Sequence, residues 1–423
     1  MAVTVSPPRR IGPALAGAWT ARRHARPSLD PMAAAEAQAW RSARRAGIGA
    51  FIVSRLLVFG AVYARAAQDV WERYTRGLPF EPSMRGIMDQ ILMQWDGRWF
   101  HSIASSGYPR NIPESLGSLR GTGATLGSLP LLPWTARGFD VIWPGGVDDA
   151  LIAVMVPISL AAVVMVGAVA RDLYDADVAR RAMVLFCFYP GAMALTWPSA
   201  EPLLVLFAAA AFACMHRRRW LLAGAFAAVG ALASPHAVAL VFACLAAAVV
   251  AVAVRREWRA LWSLLAAPLA LIAFYAWFAN HTGVAAGWWR IQRQSWYEGW
   301  NWGETTARYV WRFVDNPLAA DQGAVYGHTA LAVASLVAGL YCAVRRRIPA
   351  PMIVYCVVIA VMMLGSDNLT ARPRLVLAAF PLAIAVAAWW PRRRHLAFGG
   401  LVLLSTSVLV GYSLVYAAYG AVP

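Results

Sequence analysis

The stretch IGAFIVSRLLVFGAVYARAA, residues 48–67, decides the fold. It is apolar apart from Ser54, Arg55 and Arg65. At 1.5 Å per residue, about twenty such residues cross the roughly 30 Å hydrocarbon core of a bilayer. The leader before it, residues 1 to about 46, is too long for a cleaved signal sequence, and further apolar runs follow. The stretch therefore reads as a signal anchor. The leader carries Arg9, Arg10, Arg22, Arg23, Arg26, Arg41, Arg44 and Arg45 among Pro and Ala, with no sustained apolar face. Residues 1–46 are expected to be a disordered cytoplasmic tail and residues 47–423 a single transmembrane domain.

Moving outward, the composition agrees: of 423 residues 60% are hydrophobic and only 14% charged, too apolar for a soluble domain. The net charge of +17 would suggest a nucleic-acid partner if it sat on one polar domain. Instead it falls in short runs between apolar segments, the pattern of topology signals, so no nucleic acid is expected. No lysine occurs; the all-arginine usage carries no functional weight. Cys187, Cys214, Cys244, Cys342 and Cys356 are odd in number, lie in apolar segments and lack metal-ligand spacing, so free buried thiols are expected.

Candidate spans start near Ile48, Ala150, Ala182, Pro202, Trp220, Ala237, Leu261, Val325, Met352, Leu375 and Leu396, about eleven in all, several of them short. Arg171 with Arg180 and Arg181, Arg217–Arg219, Arg255 with Arg256 and Arg259, Arg345–Arg347 and Arg392–Arg394 then fall on the side of the N-terminal tail. Residues 68–149, the turns near Glu201 and His236, the segment 280–323 and the turn 365–374 face the other, non-cytoplasmic side. Segment 124–142 is apolar, but a crossing there would spoil the arginine alternation; it reads as re-entrant or interfacial. The expected protein is an all-α, multi-pass plasma-membrane protein with a large first external loop containing interfacial helices.

Residues with chemical potential converge on that external side. Trp95-Asp96-Gly97-Arg98-Trp99-Phe100-His101 leads through Ser105-Ser106 to Gly107-Tyr108, the pattern of a short surface helix ending at Gly107, with Asp96, Phe100 and Ile103 on one face. Asp96 reads equally as an acid favoured at a helix N-terminus, paired to Arg98 or Arg110, and as a base taking a proton from a hydroxyl. Glu201 before Pro202 is either a helix-start acid or a supporting acid. Arg372 and Arg374 at the outer end of a late span read either as interfacial anchors, which the positive-inside bias disfavours on this face, or as bidentate phosphate binders, with Asp367 available to neutralise one of them. Arg55, costing about 2.5–3.5 kcal/mol inside a span, is expected to snorkel or pair and to stay outside the site. Trp288, Trp289, Trp296, Trp300, Trp302 and Trp311 with Arg290, Arg293, Glu298 and Glu304 form either an interfacial belt or an acceptor groove.

Trp-Asp-Gly-Arg-Trp-Phe at 95–100, followed by Ile103-Ala104 and Gly107-Tyr108, resembles the first-loop signature of PIG-V-type mannosyltransferases, of the GT-C class of membrane glycosyltransferases. Phe188-Tyr189-Pro190-Gly191 through Ser199-Ala200-Glu201-Pro202-Leu203 is similar to the family's Pro/Ser-Glu-Ser segment. Arg372-Pro373-Arg374-Leu375 with Phe380-Pro381-Leu382 resembles its Pro-Arg-Tyr segment. Two elements depart from the pattern. The aromatic stretch Phe-Phe-Pro-Leu-Tyr-Pro is replaced by Thr125-Leu126-Gly127-Ser128-Leu129-Pro130, and Arg-Pro-Asn/Thr-Gly by Ser234-Pro235-His236-Ala237, which loses its arginine. The resemblance implies a GT-C-like fold, a polyprenyl-phosphate mannose donor, a lipid or glycan acceptor, inversion at the anomeric carbon and no metal or other cofactor. Asp96 would be the general base, and Arg372 and Arg374 would bind the donor phosphate. Trp95, Arg98, His101, Tyr108, Glu201, His236 and Asp367 would be supporting or substrate-binding residues. Asp96, Glu201, Asp367, Arg372 and Arg374 should then be neighbours. A lipid or glycan flippase and an inactive scaffold of the same fold are the rival readings. No internal repeat supports the former, and the lost motifs permit the latter.

Overall fold

The computed structural model describes residues 31–77, 83–112, 127–296, 298–317, 323–367 and 372–419. Within them the chain is helical. Besides short 3-10 turns, the elements are α1 (Pro31–Thr75), α2 (Met84–Leu92), α3 (Asp96–Ser106), α4 (Leu131–Asp140), α5 (Gly146–Leu173), α6 (Ala176–Phe188), α7 (Glu201–His216), α8 (Trp220–Ala231), α9 (Val238–Arg255), α10 (Leu261–Thr282), α11 (Gly287–Gln294), α12 (Glu304–Asp315), α13 (Gly323–Arg345), α14 (Ala350–Gly365), α15 (Pro373–Ala378), α16 (Pro381–Trp389) and α17 (His395–Tyr419). No sheet occurs among the described residues, where Trp300 and Ser366 form an isolated antiparallel bridge.

Six helices, α1, α5, α9, α10, α13 and α17, are long and apolar enough to cross a membrane. The other expected spans are shorter or broken. α7, α8 and α14 have 16, 12 and 16 residues. α6 stops at Phe188, where Pro190 opens a 3-10 turn running to Leu195. The late span is split at Ala379–Phe380 ahead of Pro381, because a proline supplies no N–H to the preceding turn. The apolar segment expected at the membrane surface within 124–142 contains the ten-residue α4, about 15 Å long and too short to cross. α1 differs from expectation at its start. It is already helical from Pro31, so only residues 1–30 of the expected tail lie outside the described residues. Its 45 residues make about 68 Å, roughly twice the hydrocarbon thickness, so the helix is longer than a single crossing needs.

Two opposite ends result. At one, the arginine turns are tied together: Arg217 to Asp172 (2.6 Å), Arg218 to Glu257 (3.0 Å), Arg392 to Asp175, Arg181 to the Trp390 carbonyl (2.8 Å) and the Tyr174 hydroxyl to the Arg346 carbonyl (3.3 Å). At the other lie α2, α3, α11 and α12. Between them α10 packs on α8, α8 on α7 and α7 on α5, while α1 packs on α6 and α17, α9 on α14 and α13 on α16.

Arg55 pairs, with backbone rather than with an acid among the described residues. It is buried and donates to the carbonyl oxygens of Ala192 (2.7 Å) and Cys187 (3.4 Å) and to the Thr196 hydroxyl. The break after Phe188 leaves carbonyls without helical partners, and a guanidinium with five donors meets that need. The broken segment also sets the position of α15. A Cβ on Gly191 would lie 2.3 Å from the Pro373 carbonyl carbon and oxygen and 2.6 Å from the Arg374 nitrogen. Glycine alone allows these two backbones to meet.

Candidate functional site

Asp96 opens α3, where the macrodipole favours an acid in the first turn. The preceding Trp95 holds φ 54, and that turn into the helix aims the acid inward rather than toward Arg98, which is exposed. Asp96 Oδ2 accepts from Arg374 Nη1 at 2.6 Å, with side-chain exposures of 17% and 9%. Arg374 Nε lies 3.8 Å from Glu201 Oε1, and Glu201, at the first residue of α7 ahead of Pro202, is 7% exposed. One guanidinium thus lies between two carboxylates from different elements, bonded closely to Asp96 and more loosely to Glu201. Glu201 Oε2 and Arg374 Nε are buried without a hydrogen-bond partner.

The trio lines a cavity of about 170 Å³, bordered also by Phe100, Leu129, His236, Gln292, Trp296, Glu298 and Ser366. His236 sits in a 3-10 turn ahead of α9, with Nδ1 3.3 Å from the Ser234 hydroxyl. Glu298 and Ser366 face each other, the Ser366 hydroxyl donating to Glu298 Oε1 at 2.5 Å. Gly127 admits Trp296, whose indole nitrogen would lie 2.3 Å from a Cβ there; the Trp296 ring also meets Trp99 edge-on at 4.3 Å. Arg372 is half-buried just ahead of α15 and within electrostatic reach of Asp96, Glu298 and Tyr309. Burial, and then the Arg374 cation, draw its guanidinium down to about 10, opposed by Asp96, so it stays charged near neutrality.

Arg372 also acts electrostatically on His328 of α13, which is buried with neither ring nitrogen hydrogen-bonded and which packs against Tyr412 at 4.1 Å. Further along the same helices lies a second, apolar cavity of about 460 Å³, walled by Tyr189, Leu331, Ser335, Val376, Phe380 and Leu404 among others. α15 therefore carries Arg374 into the first cavity at one end and lines the second with Val376 and Leu377.

Of the five residues expected together, Asp96, Glu201 and Arg374 are in contact and Arg372 is beside them. Asp367 is not. The Trp300–Ser366 bridge and the Asp367 N–H to Gly299 carbonyl bond (3.1 Å) turn its side chain outward, where it accepts from Asn301 (3.0 Å) and Thr305 (3.2 Å). It neutralises neither arginine. His101 points away from the cavity onto Asp148 of α5, at 2.5 Å. Tyr108 does not line the cavity. Its hydroxyl donates to the Ser128 carbonyl (2.7 Å), its carbonyl is bonded by His281 (2.9 Å), and burial pushes its phenol well up. Trp95 packs against Trp99 at 6.3 Å and does not line the cavity. Trp296, Glu298, Gln292 and Ser366 do, although the sequence singled out only the first two, and only as members of an aromatic and charged stretch. His328, beside Thr329 in a mainly apolar helix, gave no signal by spacing. Among the described residues no cluster of His, Cys, Asp and Glu is placed to hold a metal ion.

No family model matches the sequence, and no curated protein matches it. Among solved structures, the apo oligosaccharyltransferase of Archaeoglobus fulgidus aligns with 11% identity and a TM-score of 0.43, over 88% of this chain and 55% of that one. The same enzyme in complex with zinc and sulfate aligns at 12% and 0.40, over 75% and 48%. Tethered by a disulfide to an acceptor peptide containing the NVT sequon, it aligns at 14% and 0.35, over 69% and 45%. The chain spans about half the length of these structures.

Proposed function

We propose that the protein is an integral membrane glycosyltransferase of the GT-C type. It moves a hexose, mannose by its resemblance to PIG-V-type enzymes, from a polyprenyl-phosphate carrier to a hydroxyl of a lipid-linked or envelope glycan. The observation that carries this reading is the Asp96–Arg374–Glu201 trio at the wall of a cavity, at the end of the bundle opposite the arginine turns. By the positive-inside bias that end is extracytoplasmic.

In a single displacement the acceptor oxygen forms its bond to the anomeric carbon as the carbon–oxygen bond to phosphate breaks. The leaving electron pair stays on the phosphate, and Asp96 takes the hydroxyl proton. The chain supplies each need. Arg374 holds Asp96 in place, and Arg372 beside it adds a second positive charge to balance the departing phosphate. Glu201 steadies Arg374 from behind. Trp296, held edge-on by Trp99, offers the cavity an aromatic face of the kind that packs on sugars, and the apolar cavity along α15 suits an isoprenoid chain.

Transfer from polyprenyl-phosphate mannose, assayed in membranes, tests the reading. Asp96→Asn is expected to reduce it by at least about 100-fold, the usual worth of a general base, without lowering the amount of protein in the membrane. Undiminished transfer would remove Asp96 as the base, and transfer that does not depend on the protein at all would leave a flippase or an inactive scaffold as the reading. Comparing lipid-linked and envelope glycans of a deletion strain with those of its parent identifies the acceptor.

A further inference from the structure

We propose that the arginine end of the bundle holds a binding site for the phosphate headgroup of an anionic phospholipid, in the pocket between α7, α9 and α14. The site is independent of the glycosyltransferase reading and lies at the opposite end from Asp96. The pocket, about 260 Å³, has two zones. Its wall is apolar, formed by Phe212, Met215, Val250, Ala251 and Met352. Its rim carries Arg218, Arg255 and His216.

The apolar wall is continuous with the bilayer-facing side of α9, where Val249, Val250 and Val254 are exposed. An acyl chain can lie there with no polar group desolvated, while its phosphate reaches the rim. The local charge is not internally balanced. Arg217 is held by Asp172 and Arg218 by Glu257, which also accepts from the Trp220 indole at 3.0 Å. Arg219 and Arg255 have no ion pair among the described residues. A second basic recess, lined by Arg256 and Arg259, shares Arg218 and Trp220 with the first. Arg218 (φ 55) and Arg256 (φ 57) moreover occupy the left-handed backbone region after α7 and α9, where glycine sits with least strain. The chain keeps a charge at both. A soluble anion would account for the rim, but only a lipid accounts for the rim together with the wall.

The purified protein in neutral detergent is titrated with phosphatidylglycerol, phosphatidylcholine or inorganic phosphate, and read by its unfolding midpoint and by lipid retained in native mass spectrometry. Phosphatidylglycerol is expected to raise the midpoint and stay bound, and the other two are not. Arg218→Gly combined with Arg255→Gln should weaken phosphatidylglycerol binding roughly 25-fold, about 5-fold for each arginine. Its midpoint without lipid should hold, because glycine suits the backbone at 218. Arg393→Gln with Arg394→Gln, which removes two charges from the same end but outside the pocket, should keep the wild-type affinity. Equal stabilisation by phosphatidylcholine, or reproduction of the effect by inorganic phosphate, would overturn the proposal. So would equal loss in both double variants, or undiminished binding in the first. Should the first variant not fold, Arg255→Gln alone replaces it, with a loss of about 5-fold expected and undiminished phosphatidylglycerol binding counting against the site.

Discussion

Arg374 is the residue on which the candidate site turns, since it is the cation between Asp96 and the buried Glu201. Removing one partner of a buried ionic cluster leaves charge without compensation. Arg374→Met is therefore expected to cost about 3–5 kcal/mol, read as a fall in the unfolding midpoint in detergent, and to abolish transfer. Glu201→Gln retains the Asp96 contact and should cost far less; equal losses in the two variants would mean that Arg374 serves Glu201 rather than Asp96. The types of these residues were legible in the sequence, but their pairing was not. Asp96 and Arg374 are separated by 278 positions, and nothing local distinguishes Arg374 from Arg98 or Arg110 as the partner of Asp96. Asp367 shows the converse. It sits near the right arginines in sequence, yet a two-residue bridge to Trp300 is enough to turn it away.

At the scale of elements, the breaks after Phe188 and at Ala379–Phe380 matter more than the long spans. The first is held by Arg55, and its Gly191 sets where α15, and with it Arg374, comes to rest. Gly191→Ala should drive a Cβ into the Pro373 carbonyl. A loss of about 1–3 kcal/mol is expected, together with a larger fall in transfer than the stability change explains, checked by measuring both on one preparation. Arg55→Met should leave the Ala192 and Cys187 carbonyls and the Thr196 hydroxyl short of a donor. The expected cost is about 1–3 kcal/mol, with no direct role in chemistry, so that activity per folded molecule is retained. Prolines 190 and 381 stand at the breaks, although the candidate spans from Ala182 and Leu375 run straight through them. That an arginine inside the first span would satisfy one of them was not readable, because the acceptors arise only when the helices pack.

For the whole molecule, the arginine turns at one end and Asp96, Glu201 and Arg374 at the other set up a topology test. In a version whose five cysteines are replaced, a single cysteine at Trp302, which is 87% exposed, should react with an impermeant thiol reagent in intact cells, and one at Arg218 only after the membrane is opened. The reverse pattern would place the cavity on the cytoplasmic side. The amino-acid sequence by itself determined the membrane class, the all-helical architecture and the segregation of arginine turns from chemically active residues. These follow from apolar run length and from where charge is tolerated, both properties of short windows of chain. It did not separate the six long helices from the shorter and broken ones, since an apolar run of about sixteen residues looks alike whether it crosses, stops short or is broken. Only the tertiary structure decided which acid meets which arginine, which turn faces inward and where the two cavities lie. Those outcomes depend on contacts between segments hundreds of residues apart, and the free energy of such a contact exists only once both partners have been desolvated together.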